Sequence, residues 1–224
     1  MHNEINLEKD NPTSKAVISL VEKLGIILPE KMKETPLKVI LTGGAAMSFY
    51  SDVRVSNDVD AIFSHRILLP EGVTVSYTDK TGNNRVLIWD AQYHPSIGLL
   101  HEDAEDDALF IANLADGKIK LMILNPVDLA VTKIGRYYEH DKNDIIILAK
   151  KGLIDDSTVE KRAKEALNYY IGNTRWAYGN IRLAVEEIKS YQNKISDTEI
   201  NTQKPDAFTQ DLQDKPKPTI KFRR

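Results

Sequence analysis

Leu41-Thr42-Gly43-Gly44-Ala45-Ala46-Met47 and, a few residues on, Arg54-Val55-Ser56-Asn57-Asp58-Val59-Asp60-Ala61-Ile62-Phe63 are the stretch from which the fold is read. Residues 37–41 form a short, apolar, β-branched run closed by Thr42, Gly43 and Gly44, and residues 45–50 return to helix formers. The unit is strand, glycine turn, helix. Residues 59–63 alternate as a half-buried strand does. Alternate side chains of a strand share a face, so Asp58 and Asp60 project together while Val59 and Ala61 point into the core.

That arrangement has a chemical consequence. Two converging carboxylates repel each other unless a cation lies between them, and magnesium, or manganese, suits hard oxygen ligands while leaving coordination positions open for phosphate. Gly43 and Gly44 at the mouth of the helix let the backbone approach a phosphate closely, where free amides and the helix dipole favour negative charge. Either feature alone is commonly a plain turn or a solvated strand end. Their joint order and spacing, with Arg54 and Ser56 between them, point to a cradle for a nucleoside triphosphate and its metal ions.

Working outward, residues 14–24 carry apolar side chains at helical spacing before Gly25. Residues 73–78 and 85–89 flank Thr81-Gly82-Asn83-Asn84, and residues 109–114 and 119–124 flank Asp116-Gly117, so two hairpins are expected. From Pro126 the period lengthens to about 3.6 residues, giving helices through Leu148, over residues 160–170 and over residues 176–191. Pro126 suits a first helical turn, and Asp155, Asp156 and Ser157 offer caps. Residues 193–224 hold few large apolar side chains and three prolines, and read as a disordered tail. The expected architecture is α+β: a mixed-sheet domain over residues 1–125, and a helical domain over residues 126–192 that completes an active-site cleft.

The composition sets limits. With 224 residues, 42% hydrophobic and 28% charged, the chain can bury a core of one or two domains. It has no cysteine, which excludes disulfides and thiolate zinc sites. A net charge of -3 gives no global case for nucleic acid. No apolar run reaches the roughly 18 residues of a membrane span, and residues 1–11 lack the layout of a signal peptide, so no membrane partner and a cytoplasmic location are expected.

A second motif lies in the helical half: Asn125-Pro126-Val127-Asp128-Leu129-Ala130-Val131-Thr132-Lys133-Ile134-Gly135-Arg136, continuing to His140-Asp141-Lys142-Asn143-Asp144-Ile145. Together with the glycine turn and Asp-x-Asp, it resembles the polymerase beta nucleotidyltransferase superfamily, most closely the AbiEii/AbiGii toxin-like branch. The resemblance spans roughly residues 37–153. It implies catalytic roles for Asp58, Asp60, Lys133 and Asp144, nucleotide contacts from Gly43, Gly44, Arg54, Ser56, Arg136 and Asp141, and a third metal carboxylate, for which Asp90 at the end of Val86-Leu87-Ile88-Trp89 is best placed. Read as one helix over residues 126–150, Lys133, Arg136, His140 and Asp144 form a single stripe. They then face the nucleotide together, or form the solvated side of an amphipathic helix. The reaction implied is transfer of a nucleoside monophosphate to a hydroxyl of RNA (a tRNA included), of a protein or of a small molecule, as the toxin of a toxin–antitoxin or phage-defence pair with a cognate antitoxin. An AMP-adding antitoxin of the same fold and a non-catalytic binding module are the rivals.

Overall fold

Strand β1 (Leu37–Leu41) is central because its apolar side chains are buried at every position but Lys38. The computed structural model describes residues 5–52, 55–69, 72–90 and 98–202. Before β1 runs helix α1 (Pro12–Leu24), whose N-cap Asn11 accepts from the Ser14 amide at 2.8 Å and whose Val17, Leu20, Val21 and Leu24 are buried. After β1 the chain turns at glycine into α2 (Gly43–Tyr50), a helix apolar on all sides and buried accordingly.

The strands that follow are β2 (Asp58–Val59), β3 (Ala61–Phe63), β4 (Thr74–Thr78), β5 (Asn84–Trp89), β6 (Leu109–Leu114) and β7 (Ile119–Ile123). They build two sheets, a four-stranded one in the order β3-β1-β7-β6 and a three-stranded one in the order β2-β5-β4. Both expected hairpins are present, β4 with β5 and β6 with β7, each antiparallel. Pairing is mixed, since β7 runs parallel to β1 and β5 parallel to β2. One expectation is corrected. Residues 59–63 are not one strand: β2 pairs in the small sheet and β3 in the large one, so the chain changes sheets at Asp60.

The helical half comprises α3 (Pro126–Arg136), α4 (Glu139–Lys150), α5 (Asp156–Ala166) and α6 (Thr174–Thr202). Asn125 caps α3 by accepting from the Asp128 amide, and Asp155 caps α5 by accepting from Thr158. A second correction concerns the single helix over residues 126–150. It is broken at Tyr137, which adopts a left-handed conformation with φ 54°, and α4 restarts with the Asp141 carboxylate accepting from the Tyr138 amide at 3.2 Å. A third concerns the tail: α6 continues through Thr202, past the expected end at Tyr191, and the rest of the tail lies outside the described residues.

One hydrophobic cluster runs from α1 through both sheets to Ile181 and Ile188 of α6, across the expected boundary at residue 125. Two polar ties accompany it. The Tyr50 hydroxyl donates to the Leu124 carbonyl at 2.6 Å, and Arg162 of α5 forks onto the buried Asp128 carboxylate of α3 at 2.8 and 2.9 Å. Among the described residues no helix is long and apolar enough to cross a membrane.

Candidate active site

Asp60 sits at the seam of the two sheets, where its carbonyl accepts from the Thr42 amide at 3.0 Å and the neighbouring Val59 carbonyl accepts from the Asp90 amide at 3.1 Å. The first bond fastens it to the glycine turn, the second brings the end of β5 alongside. Gly43 has φ +60°, and a Cβ placed there would lie 2.0 Å from Asp60 Oδ2, so a hydrogen is all that fits between backbone and carboxylate. Asp58, one pleat away, is exposed at the edge of β2. Ser56 is buried and donates its hydroxyl at 2.9 Å to Asp58 Oδ1 and at 2.9 Å to the Asp58 carbonyl, which fixes the carboxylate's direction.

Electrostatics mark the cluster as strained by like charge. Burial, then the negative charges of Asp58 and Asp90, push the Asp60 carboxyl up to about 6, and a hydrogen bond shared with the Asp90 side chain adds to the rise. The Arg136 guanidinium acts in the opposite sense. Arg136, at the last turn of α3, is therefore the point at which the helical half addresses the carboxylates. Thr42 precedes α2 without a side-chain hydrogen bond to its first turn.

The other charges are arranged behind Arg136. Lys133 is buried, with Nζ 2.6 Å from Asp144 Oδ2 and 4.0 Å from Asp141 Oδ1. Asp141 is also buried and accepts from Arg136 Nη2 at 3.0 Å, while His140 Nε2 stands 3.5 Å from its Oδ1. The helix break at Tyr137 folds this would-be stripe into a hairpin in which Lys133 on one arm meets Asp144 on the other. Arg136 is half exposed, whereas Lys133, Asp141 and Asp144 are enclosed.

A family model described as a nucleotidyltransferase of unknown function (DUF6036) matches residues 16–194. The chain belongs to this nucleotidyltransferase family. No curated protein and no solved structure matches it.

In this family member the glycine turn, Asp58, Asp60, Asp90, Ser56 and Arg136 come together around one surface. Arg54 lies outside the described residues. Lys133, Asp141 and Asp144 are brought to one another and tied to the cluster through Arg136. Sequence reasoning gave no role to the Arg162–Asp128 fork, which holds α5 against α3 and extends to Asp107 at 2.6 Å. Among the described residues no three His, Asp or Glu side chains form a ready-made metal shell. The carboxylates of this family member are an open cradle rather than a closed chelate. Its donor set is hard oxygen, with the Asp60 carboxylate against the Gly43 backbone and Asp58 and Asp90 close by. On that observation the residues fit magnesium or manganese.

Proposed function

We propose that this protein transfers a nucleoside monophosphate from a nucleoside triphosphate to a hydroxyl group, releasing pyrophosphate, with Asp58 and Asp60 holding magnesium or manganese and Asp90 beside them. A bound divalent ion would supply charge neutralisation at the phosphates. The chain's own groups do the rest. Gly43 and Gly44 admit the triphosphate to the first turn of α2. Ser56 keeps Asp58 aimed, and Arg136 offers a half-exposed guanidinium to a phosphate oxygen. Lys133, Asp141 and Asp144 hold Arg136 and the start of α4 in position. The acceptor oxygen bonds to the α-phosphorus, the bond to the pyrophosphate oxygen breaks, and the hydroxyl proton passes to a carboxylate oxygen of Asp90.

The observation that carries the reading is the contact of Gly43 with a carboxylate whose affinity for its proton is raised by burial and by two neighbours of like charge. Family membership supports it. The resemblance of the two motifs to the AbiEii/AbiGii branch supports, as a finer reading, a cytoplasmic toxin with a cognate antitoxin.

The test is a screen with four α-labelled nucleoside triphosphates against RNA, protein and small-molecule acceptors. Label transferred by the wild type and lost in Asp58→Ala plus Asp60→Ala is the expected result. Equal labelling by both proteins would sink the assignment. Failure of the wild type to bind magnesium and any triphosphate by calorimetry would favour a binding module.

A further inference from the structure

The small sheet has one buried and one open face. Val59, Val75, Leu87 and Trp89 are buried, whereas the alternate side chains of its strands are all exposed. Val86 and Ile88, 51% and 46% exposed, form the apolar centre of that open face. Ile88 is in register with Thr74 on one side and with Asp58 on the other, and Val86 with Ser76. The same face therefore leads, one pleat beyond Ile88, to Asp90 and to the carboxylates. Two exposed β-branched residues and a row of hydroxyls thus continue the active-site surface without interruption.

Resting on the nucleotidyl-transfer reading, we infer that this open face docks the acceptor, and that the acceptor is a polypeptide segment presenting a Ser, Thr or Tyr hydroxyl. Continuity fixes the place. A segment lying along β5 over Val86 and Ile88 arrives at Asp58 and Asp90 without crossing the glycine turn, which is left to the triphosphate. Charge fixes the class. No Lys or Arg of β2, β4 or β5 is on this face, since Arg85 belongs to the opposite pleat and is paired with Asp79 at 2.8 Å. The charges this face leads to are the carboxylates of Asp58 and, past the end of β5, Asp90. A nucleic-acid acceptor draws most of its affinity from cations set against its phosphates. An uncharged strip of β-branched and hydroxyl side chains offers none, whereas it suits the side chains of an extended polypeptide. The hydroxyl oxygen takes the α-phosphoryl group of the triphosphate, pyrophosphate departs, and the proton goes to Asp90.

The experiment uses the full chain, magnesium and the triphosphate that binds best. Acceptors are short synthetic peptides with a central Ser, Thr or Tyr flanked by alternating Val and Thr, a matched set flanked by Lys and Glu, and total tRNA. Labelling should favour the apolar-flanked peptides. Val86→Thr plus Ile88→Thr, which keeps strand propensity, should lower it by about ten- to a hundredfold, as loss of two partly buried apolar contacts implies. Triphosphate affinity of that variant, read by calorimetry, should stay within about twofold of the parent, the change expected when no ligand contact is lost. Label in tRNA alone, label in no acceptor, or undiminished peptide labelling by the Thr pair would each overturn the docking surface. Absence of magnesium-dependent triphosphate binding in the parent would overturn the nucleotidyl-transfer reading, and this inference with it.

Discussion

Asp60 holds its proton to about pH 6 in the folded protein, whereas an unfolded chain releases it near 3.8. Between those values the fold binds more protons than the unfolded state, so the cation-free protein loses stability as pH rises from about 4 to about 6 and is level above. The upper bound is about 3 kcal/mol, reduced to about 1–2 by solvent. Asp60→Asn should thus raise the melting temperature of the cation-free protein at pH 7.5 by about 2–4 °C per kcal/mol while abolishing transfer. Removing a charge that the proposed transfer requires should stabilise the fold, and calorimetric scans against a transfer assay separate the two effects. A magnesium ion held by these carboxylates would displace the same proton. Its affinity should fall as pH drops through about 6, with proton release measurable by titration in buffers of different ionisation heat. Gly43→Ala adds a methyl where Asp60 Oδ2 lies, in a backbone conformation that costs L-residues about 1–2 kcal/mol. It should weaken magnesium–triphosphate binding by about 10–100-fold, the range for disturbed ligand support, and unchanged affinity would count against the cradle. The glycine turn and the Asp-x-Asp spacing are local signals legible in the sequence, but Asp60 lies where the chain changes sheets rather than on a strand shared with Asp58. That Ser56 aims Asp58 depends on a hydroxyl orientation that no pattern encodes.

At the scale of elements, α3 and α4 form a hairpin around a buried ion pair, Lys133 with Asp144. Removing one partner strands the other charge in a low-dielectric interior, at about 3–5 kcal/mol for such pairs. Lys133→Ala should lower unfolding free energy in urea by about that range, and Lys133→Met plus Asp144→Leu should cost less. A loss under about 1 kcal/mol for Lys133→Ala would show that water reaches the pair. The break between these helices was not readable, because Tyr137 takes a left-handed conformation that neither glycine nor proline announces. Its hydroxyl donates to Glu187 at 3.1 Å, a tertiary contact fifty positions away that holds the turn. The hairpins were readable, since Asp116-Gly117 and Gly82 impose their turns locally. The division of residues 59–63 between two sheets was not, since it depends on β5, whose partnership with β2 is non-local.

Across the whole molecule, the fold class and the order of strands before helices followed from periodicity, while the joining of sheet and helices did not. The Arg162–Asp128–Asp107 network links loop, α3 and α5 across 55 positions and leaves no repeat in the sequence. Binding to the folded state alone stabilises it, by about 2.7 kcal/mol at a hundred times the dissociation constant. Magnesium with its preferred triphosphate should therefore raise the melting temperature by about 5–10 °C, and triphosphate without magnesium by far less. Equal shifts with and without the cation would remove the metal from the assignment. The change of sheets at Asp60 has one more effect. Asp58 belongs to the small plate of strands and Asp60 is anchored to the large one through Thr42, so an ion gripped by both would be a rivet between plates. Loading would stiffen the joint on which the proposed acceptor face rests, and without an ion that joint would be held by the chain's own contacts alone.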